Sequence, residues 1–325
     1  MNILALAGGV GGAKLADGLA SCLVSPSSPP LLPLAGEGSR LTVVVNTGDD
    51  FDWMGLRICP DLDTVIYTLA GIANPQTGWG VEGDTFESLG MLKRLGGETW
   101  FRVGDRDLAT HLRRTLLLNE GKRLTEATQI LCQSLGPGPH MRILPMTDAA
   151  VRTLVETDEG TLAFQEYFVH RGWQPVIRHV RFHGIERARP SPEVKAALDD
   201  ADLIVVCPSN PFVSIDPILA LGDVRDVLRE HRTIAVSPII GGQAVKGPAA
   251  KMFRELGQEP TALAVARHYA DFLDAFVIDH ADADQSDDIE RLNIRVLITD
   301  TLMRDSDDRR RLGRETLDFA RFIPA

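Results

Sequence analysis

Cysteine is scarce and scattered in this chain. Cys22, Cys59, Cys132 and Cys207 are the only four, and none sits at a paired metal-ligand spacing. They read as reduced core residues of a cytosolic protein. Long hydrophobic runs are also missing, so nothing reaches the length needed to span a bilayer. The N-terminus lacks a basic segment leading into an apolar signal core, and a cytoplasmic location is expected. Positive charge is short too: 34 Lys and Arg stand against 45 Asp and Glu, a formal net charge of −11. That argues against a nucleic-acid or membrane partner, while leaving room for a local basic pocket that takes phosphates. No internal repeat is visible. What is present is 325 residues with 44% hydrophobic content, enough to bury a large core. The length allows one large domain, or a core with a substantial insertion.

The opening is the most informative stretch. Apolar residues 3–7 read as a buried parallel strand. Gly8, Gly9, Gly11 and Gly12 follow, with Lys14 close behind. A helix starting near Gly12 would turn its free N–H groups toward that glycine turn, whose natural occupant is a phosphate. Two standard fingerprints fail. The P-loop needs Ser or Thr after its lysine, and Leu15 is there. Counted from Gly9, the dinucleotide motif needs a glycine where Lys14 stands. A phosphate-binding turn of neither type is the favoured reading, with simple tight packing as the alternative.

Further apolar runs at residues 41–46, 203–207, 233–237, 275–279 and 295–298 alternate with amphipathic stretches such as 216–230 and 248–257. The alternation predicts an α/β fold: a Rossmann-like, mostly parallel sheet with helices on both faces. Residues 83–190 read as an inserted α+β accessory lobe, with strand-like runs at 142–146, 163–169 and 176–182. The whole chain, 1–325, is then one domain. Residues 25–39 are rich in Pro, Gly and Ser and read as an exposed loop.

Ligands of such sheets sit beyond the carboxyl ends of the strands, so the polar motifs there are the candidates. The second strand runs into Asn46-Thr47-Gly48-Asp49-Asp50-Phe51-Asp52-Trp53, and Cys59-Pro60-Asp61-Leu62-Asp63-Thr64 follows. Five carboxylates fall within fifteen residues. Crowded carboxylates repel unless a cation or hydrogen bonds compensate, and oxygen ligands suit Mg²⁺. Asp49, Asp50 and Asp61 are the metal candidates. The alternative makes Asp61 or Asp63 a helix cap. Gly104-Asp105-Arg106-Asp107 and His111 suggest part of a substrate pocket, against a plain reading of Asp107 as a cap. Trp79 and Asp84 could add an aromatic wall and a polar contact. Cys207-Pro208-Ser209-Asn210-Pro211, with Ser214 beyond, and Ser237-Pro238-Ile239-Ile240-Gly241-Gly242 each follow a strand. Prolines stiffen such turns while Ser and Asn groups face a ligand. With the glycine turn they form an anion or nucleotide cradle.

These six motifs, in this order from residue 1 to the Asp300-Thr301-Leu302-Met303 segment, resemble the 2-phospho-L-lactate transferase family of coenzyme F420 biosynthesis. The resemblance implies transfer of a phosphorylated three-carbon acid from a guanosine diphosphate donor to the deazaflavin Fo, with release of GMP. It implies Mg²⁺ as cofactor, and Fo and a guanylylated three-carbon acid as ligands. The nucleotide is then expected on Gly9, Val10, Gly11, Gly12, Lys14, Pro208, Ser209, Asn210, Pro211, Ser214, Ser237, Ile239, Ile240 and Gly241. Fo is expected past Asp50, Asp63, Trp79, Asp84, Asp105 and Arg106, with Asp50 as the catalytic carboxylate. Two other classes compete. A nucleotide-sugar-binding regulator would carry a Gly/Ser-rich segment where Phe51-Asp52-Trp53 stands. A dinucleotide oxidoreductase would end its second strand in an acidic residue, where Asn46-Thr47 occurs. A homodimer is the default assembly.

Overall fold

Residues 3–7 are buried without exception, and neighbours along a strand face opposite ways, so this run must be covered on both sides. The computed structural model, which describes residues 1–24, 39–138 and 140–323, shows that covering. Seven strands make one sheet: β1 (Asn2–Ala7), β2 (Arg40–Val45), β3 (Met141–Pro145), β4 (Leu203–Val206), β5 (Thr233–Val236), β6 (Ala275–Asp279) and β7 (Arg295–Thr299). Their order across the sheet is β7-β6-β5-β4-β1-β2-β3, and every neighbouring pair is parallel. Leu4, Leu6, Val44, Ile204 and Phe276 pack into a core on one face. Ile3, Ala5, Val43, Val205 and Val277 pack into a second core on the other. The expected α/β architecture is present.

Strand order reverses at β1, which lies between β2 and β4, so a crevice opens above the carboxyl ends of β1 and β4. Of the helices α1 (Gly9–Val24), α2 (Pro60–Leu69), α3 (Glu87–Arg94), α4 (Asp105–Asn119), α5 (Leu124–Leu135) and α6 (Ser306–Ala320), α1, α2 and α4 supply residues to its lining and the other three do not. α1 and α6 cross at Gly18 and Gly313, where a Cβ on Gly313 would sit 2.6 Å from the Gly18 carbonyl carbon. Only glycine permits that approach.

Several local expectations change. The run at 142–146, assigned to the insertion, pairs with β2 and forms the edge of the main sheet. Within 163–169, a strand covers only Gly160–Ala163, and a π-helical turn, Glu166–His170, follows. Phe164, Tyr167 and Phe168 recur at helical spacing, which is the physical reason. Residues 216–230 form two short helices, Asp216–Leu219 and Val224–Leu228, parted near Gly222 with its φ of +51°. Within residues 83–190 a separate three-stranded sheet is antiparallel, with Arg152–Thr157 between Gly160–Ala163 and Ile177–His183. The expected loop at 25–39 lies, apart from Ser39, outside the described residues.

Candidate active site

α1 begins at Gly9, three residues before the expected start at Gly12. The unpaired N–H groups of its first turn therefore open onto the crevice. Gly9 itself has a φ of +60°, a left-handed conformation suited to glycine. Packing explains the other glycines. A Cβ on Gly8 would lie 2.6 Å from Asp61 Oδ2 and 2.7 Å from Ser214 Cβ, and one on Gly12 would press on Ala7 at 3.0 Å. Ser209 locks the turn: its hydroxyl accepts from the Gly8 N–H at 3.0 Å and donates to the Gly8 carbonyl at 2.8 Å. The close-packing reading of the glycine turn therefore holds, and the turn also faces a cavity.

That cavity has a volume of about 750 Å³. Of the residues expected to hold a nucleotide, Gly9, Val10, Gly11, Lys14, Pro208, Ser209, Asn210, Ser214, Ser237 and Ile240 line it, while Gly12, Pro211, Ile239 and Gly241 do not. Asn210 accepts from the Phe212 N–H at 3.0 Å, which fixes its own turn. Ser237 folds back on Ile239 in the same way. Lys14 donates to the Met303 carbonyl at 2.7 Å and Lys246 to the Thr77 carbonyl at 2.6 Å. Burial, followed by the charges of Arg309 and Lys246, holds the Lys14 ammonium below its ordinary pKa.

Asp49 and Asp61 also line the cavity. Both are buried. Asp61 accepts from the Asn46 amide at 2.9 Å. Burial pushes its carboxyl up to about 6. Burial, then the charge of Asp61, pushes Asp49 well above the usual carboxylate range. Asp49 Oδ1 has no hydrogen-bond partner among the described residues. Two adjoining carboxylates with an unmet oxygen are the donor set a divalent cation satisfies. Asp50 is different. It lies outside the cavity lining, no nitrogen or oxygen donor among the described residues reaches its oxygens, and burial pushes it up to about 8 against the nearby Cys59 thiol and Arg114.

Neither Asp61 nor Asp63 caps α2, whose N-cap is Cys59 with no side-chain bond. Asp63, on the cavity wall, makes a bidentate pair with Arg114, which is fully buried. Around that pair stand His111, Asp107 and Tyr67, all lining the cavity. The Tyr67 hydroxyl donates to Asp107 at 2.8 Å. Asp63, Asp107 and His111 converge closely enough to suggest a metal, but the Arg114 guanidinium already neutralises Asp63. Asp107 is thus part of this buried network and caps nothing.

Asp84 and Asp105 have other tasks. Asp84 accepts from the Arg106 and Asp107 N–H groups at 2.8 and 3.1 Å, capping α4. Asp105 accepts from the Glu87 and Ser88 N–H groups, each at 2.9 Å, capping α3. Each helix is capped from the start of the other. Arg106 donates to the Glu82 carbonyl at 3.0 Å. None of the three lines the main cavity, whereas Trp79 does.

Sequence reasoning passed over an aromatic wall. Trp100, Phe101, Phe164 and Phe168 line the cavity. Phe164 and Phe168 stack with ring centroids 5.4 Å apart, and Trp100 and Phe101 meet edge to face at 5.8 Å. The helical spacing of Phe164, Tyr167 and Phe168 was the available signal. Nothing local marks Trp100 and Phe101 as partners of residues so far along the chain.

An open parallel sheet with a helix N-terminus at its switch point and two buried carboxylates beside that turn makes this an α/β protein of the doubly wound, switch-point-crevice class. The comparisons narrow this. A family model described as "2-phospho-L-lactate transferase CofD" matches residues 3–316. The 2-phospho-L-lactate transferase of Methanopyrus kandleri is 40% identical over 98% of this chain and 97% of its own. The phosphoenolpyruvate transferase of Streptomyces griseus is 40% identical over the full length of both. That of Thermobifida fusca is 44% identical over 87% of this chain and 88% of its own. The chain belongs to the 2-phospho-L-lactate transferase family. A solved UPF0052-family structure from Bacillus halodurans shares the fold, with a TM-score of 0.60, 15% identity, and 97% and 99% of the two chains covered.

Proposed function

We propose that this protein transfers a phosphorylated three-carbon acid, phospholactyl or phosphoenolpyruvyl, from a guanosine diphosphate donor to the deazaflavin Fo. The products are F420-0 or its dehydro form and GMP. The observation that carries this reading is the cavity lining in which the α1 N-terminus and Lys14 meet the Asp49 and Asp61 carboxylates. Family membership and the names of the relatives support it.

The division of labour follows from the lining. The α1 N-terminus, Lys14 and the Ser209 and Ser237 loops suit the donor's diphosphate and nucleoside. Trp100, Phe101, Phe164 and Phe168 offer flat apolar faces to a deazaflavin ring. Asp49 and Asp61 would hold Mg²⁺, which supplies charge neutralisation at the phosphate under attack. Phosphoryl transfer depends chiefly on positioning and such neutralisation. Asp50 keeps the proposed proton-accepting role; burial pushes its carboxyl up to about 8, so the form able to accept a proton is the one favoured at alkaline pH. Since it stands behind the lining, that role needs a relay to reach the hydroxyl.

Incubation with Fo, Mg²⁺ and each of three guanylylated donors (phospholactyl, enolpyruvyl, phosphoglyceryl), followed by chromatography of the fluorescent product, tests the reading. A new deazaflavin product and GMP are expected in equal amounts. Absence of product with all three donors would refute it.

A further inference from the structure

The buried network beside Asp63 leaves two nitrogens without a hydrogen-bond partner among the described residues, Arg114 Nε and His111 Nε2, and of these two residues only His111 lines the cavity. His111 is 2% exposed, its ring lines the cavity, and its Nε2 has no hydrogen-bond partner among the described residues. The other ring nitrogen decides what Nε2 is. Arg114 lies 3.3 Å from Nδ1. A guanidinium can only donate, so Nδ1 must offer its lone pair. Asp63 Oδ2 is farther away, at 3.5 Å, and Asp63 is already engaged by Arg114. The ring proton therefore resides on Nε2.

This N–H sits 3.4 Å from Asp107 Oδ1, an oxygen that already accepts from Tyr67 at 2.8 Å. The cavity thus presents a buried donor and a carboxylate acceptor side by side. One hydroxyl satisfies both, accepting from Nε2–H while donating to Asp107. Distance along α2 indicates which hydroxyl. Tyr67 lies six residues beyond Asp61, a rise of about 9 Å. The Asp107 end of the pair, marked by its bond to Tyr67, is thus set back along α2 from Asp61.

We propose that His111 is a specificity-determining residue: a neutral imidazole, held as the Nε2–H form by Arg114, that with Asp107 binds a non-reacting hydroxyl on a polyol chain of the acceptor. This rests on the transferase reading above and adds to it the feature of the acceptor that is recognised.

The test pairs two ligands with two variants. The ligands are Fo and a deazaflavin of the same ring whose side chain keeps only its terminal hydroxyl. Wild-type protein should bind Fo roughly tenfold more tightly than the analogue, the scale of one hydrogen bond involving a charged partner. His111→Phe should bind both equally, with GDP affinity unchanged. His111→Gln, which can place an amide donor near Nε2, should keep most of the discrimination. Nitrogen-15 NMR of the wild-type imidazole should show a neutral ring protonated on Nε2. Discrimination by His111→Phe equal to that of wild type, or a ring protonated on Nδ1, overturns the assignment. If His111→Phe fails to fold, the wild-type spectrum decides alone. A wild-type protein that binds GDP but neither deazaflavin overturns the transferase reading, and this assignment with it.

Discussion

Asp49 and Asp50 are neighbours in sequence with different surroundings, and their substitutions should separate. Asp49 lines the cavity with Asp61, so Asp49→Asn removes an anionic group from the proposed Mg²⁺ site at constant volume. Turnover should fall on the order of a hundredfold, and the Mg²⁺ concentration for half-maximal rate should rise. An unchanged Mg²⁺ titration would refute the assignment. Asp50 offers a stability test. Its carboxyl is pushed up to about 8 by burial, against about 4 in an unfolded chain. The folded protein keeps a proton that the unfolded chain releases, so this group's contribution to stability falls as pH rises from about 4 to about 8. Asp50→Asn abolishes that titration. Calorimetry in EDTA should show the variant's melting temperature gaining on wild type between pH 5 and pH 8.5, and a pH-independent difference would contradict it. Asp63 behaves oppositely, because Asp63→Ala leaves the Arg114 charge buried without its partner. That should cost roughly 3 to 5 kcal/mol in denaturant unfolding, so any effect on Fo binding must be measured where the variant is folded.

At the scale of elements, the α1–α6 crossing is the tightest helix contact. Gly18→Ala must push the Arg309 backbone of α6 aside. A loss of roughly 1 to 3 kcal/mol is expected from such overpacking. Urea unfolding measures it, and a neutral result would mean that α6 can shift freely. The strands of the main sheet were legible because β-branched runs covered on both faces are apolar throughout, as in Val43, Val44 and Val45. The edge strand Met141–Pro145 was visible as a strand but not as a member of this sheet. Its partner β2 is about a hundred residues away, and local pattern carries no pairing information. The Ala163 to Val169 stretch misled because a short apolar run fits either period. The site divides along the same line. Motifs directly after strands, such as Pro208-Ser209-Asn210 and the Asp49 to Asp61 cluster, were legible because the sheet's geometry puts strand ends at the crevice. Asp84 and Asp105 looked equally polar, yet reciprocal capping of α3 and α4 occupies them. Tertiary folding alone reveals that exchange.

For the whole molecule, the strand order sets two groups of lining residues on either side of the switch point. The loops after β4 and β5, with the α1 N-terminus, line the cavity on one side. Asp63, Tyr67, Trp100, Phe101 and the Phe164–Phe168 stack, contributed by α2 and the inserted segment, line the other. Asp49 and Asp61 stand where the two meet. An in-line displacement needs the attacking hydroxyl and the leaving phosphate on opposite sides of the phosphorus, and the proposed placement of donor and acceptor on the two sides meets that need. In the proposed placement Trp100 belongs to the acceptor side alone, and its ring stacks on His170 with centroids 5.1 Å apart. Trp100→Ala should therefore weaken Fo binding by about tenfold, the worth of one aromatic face, and leave GDP affinity within twofold of wild type. Fluorescence titration of Fo and calorimetry of GDP on the same preparation read the two affinities separately. A folded Trp100→Ala protein that loses GDP while holding Fo normally would reverse that placement.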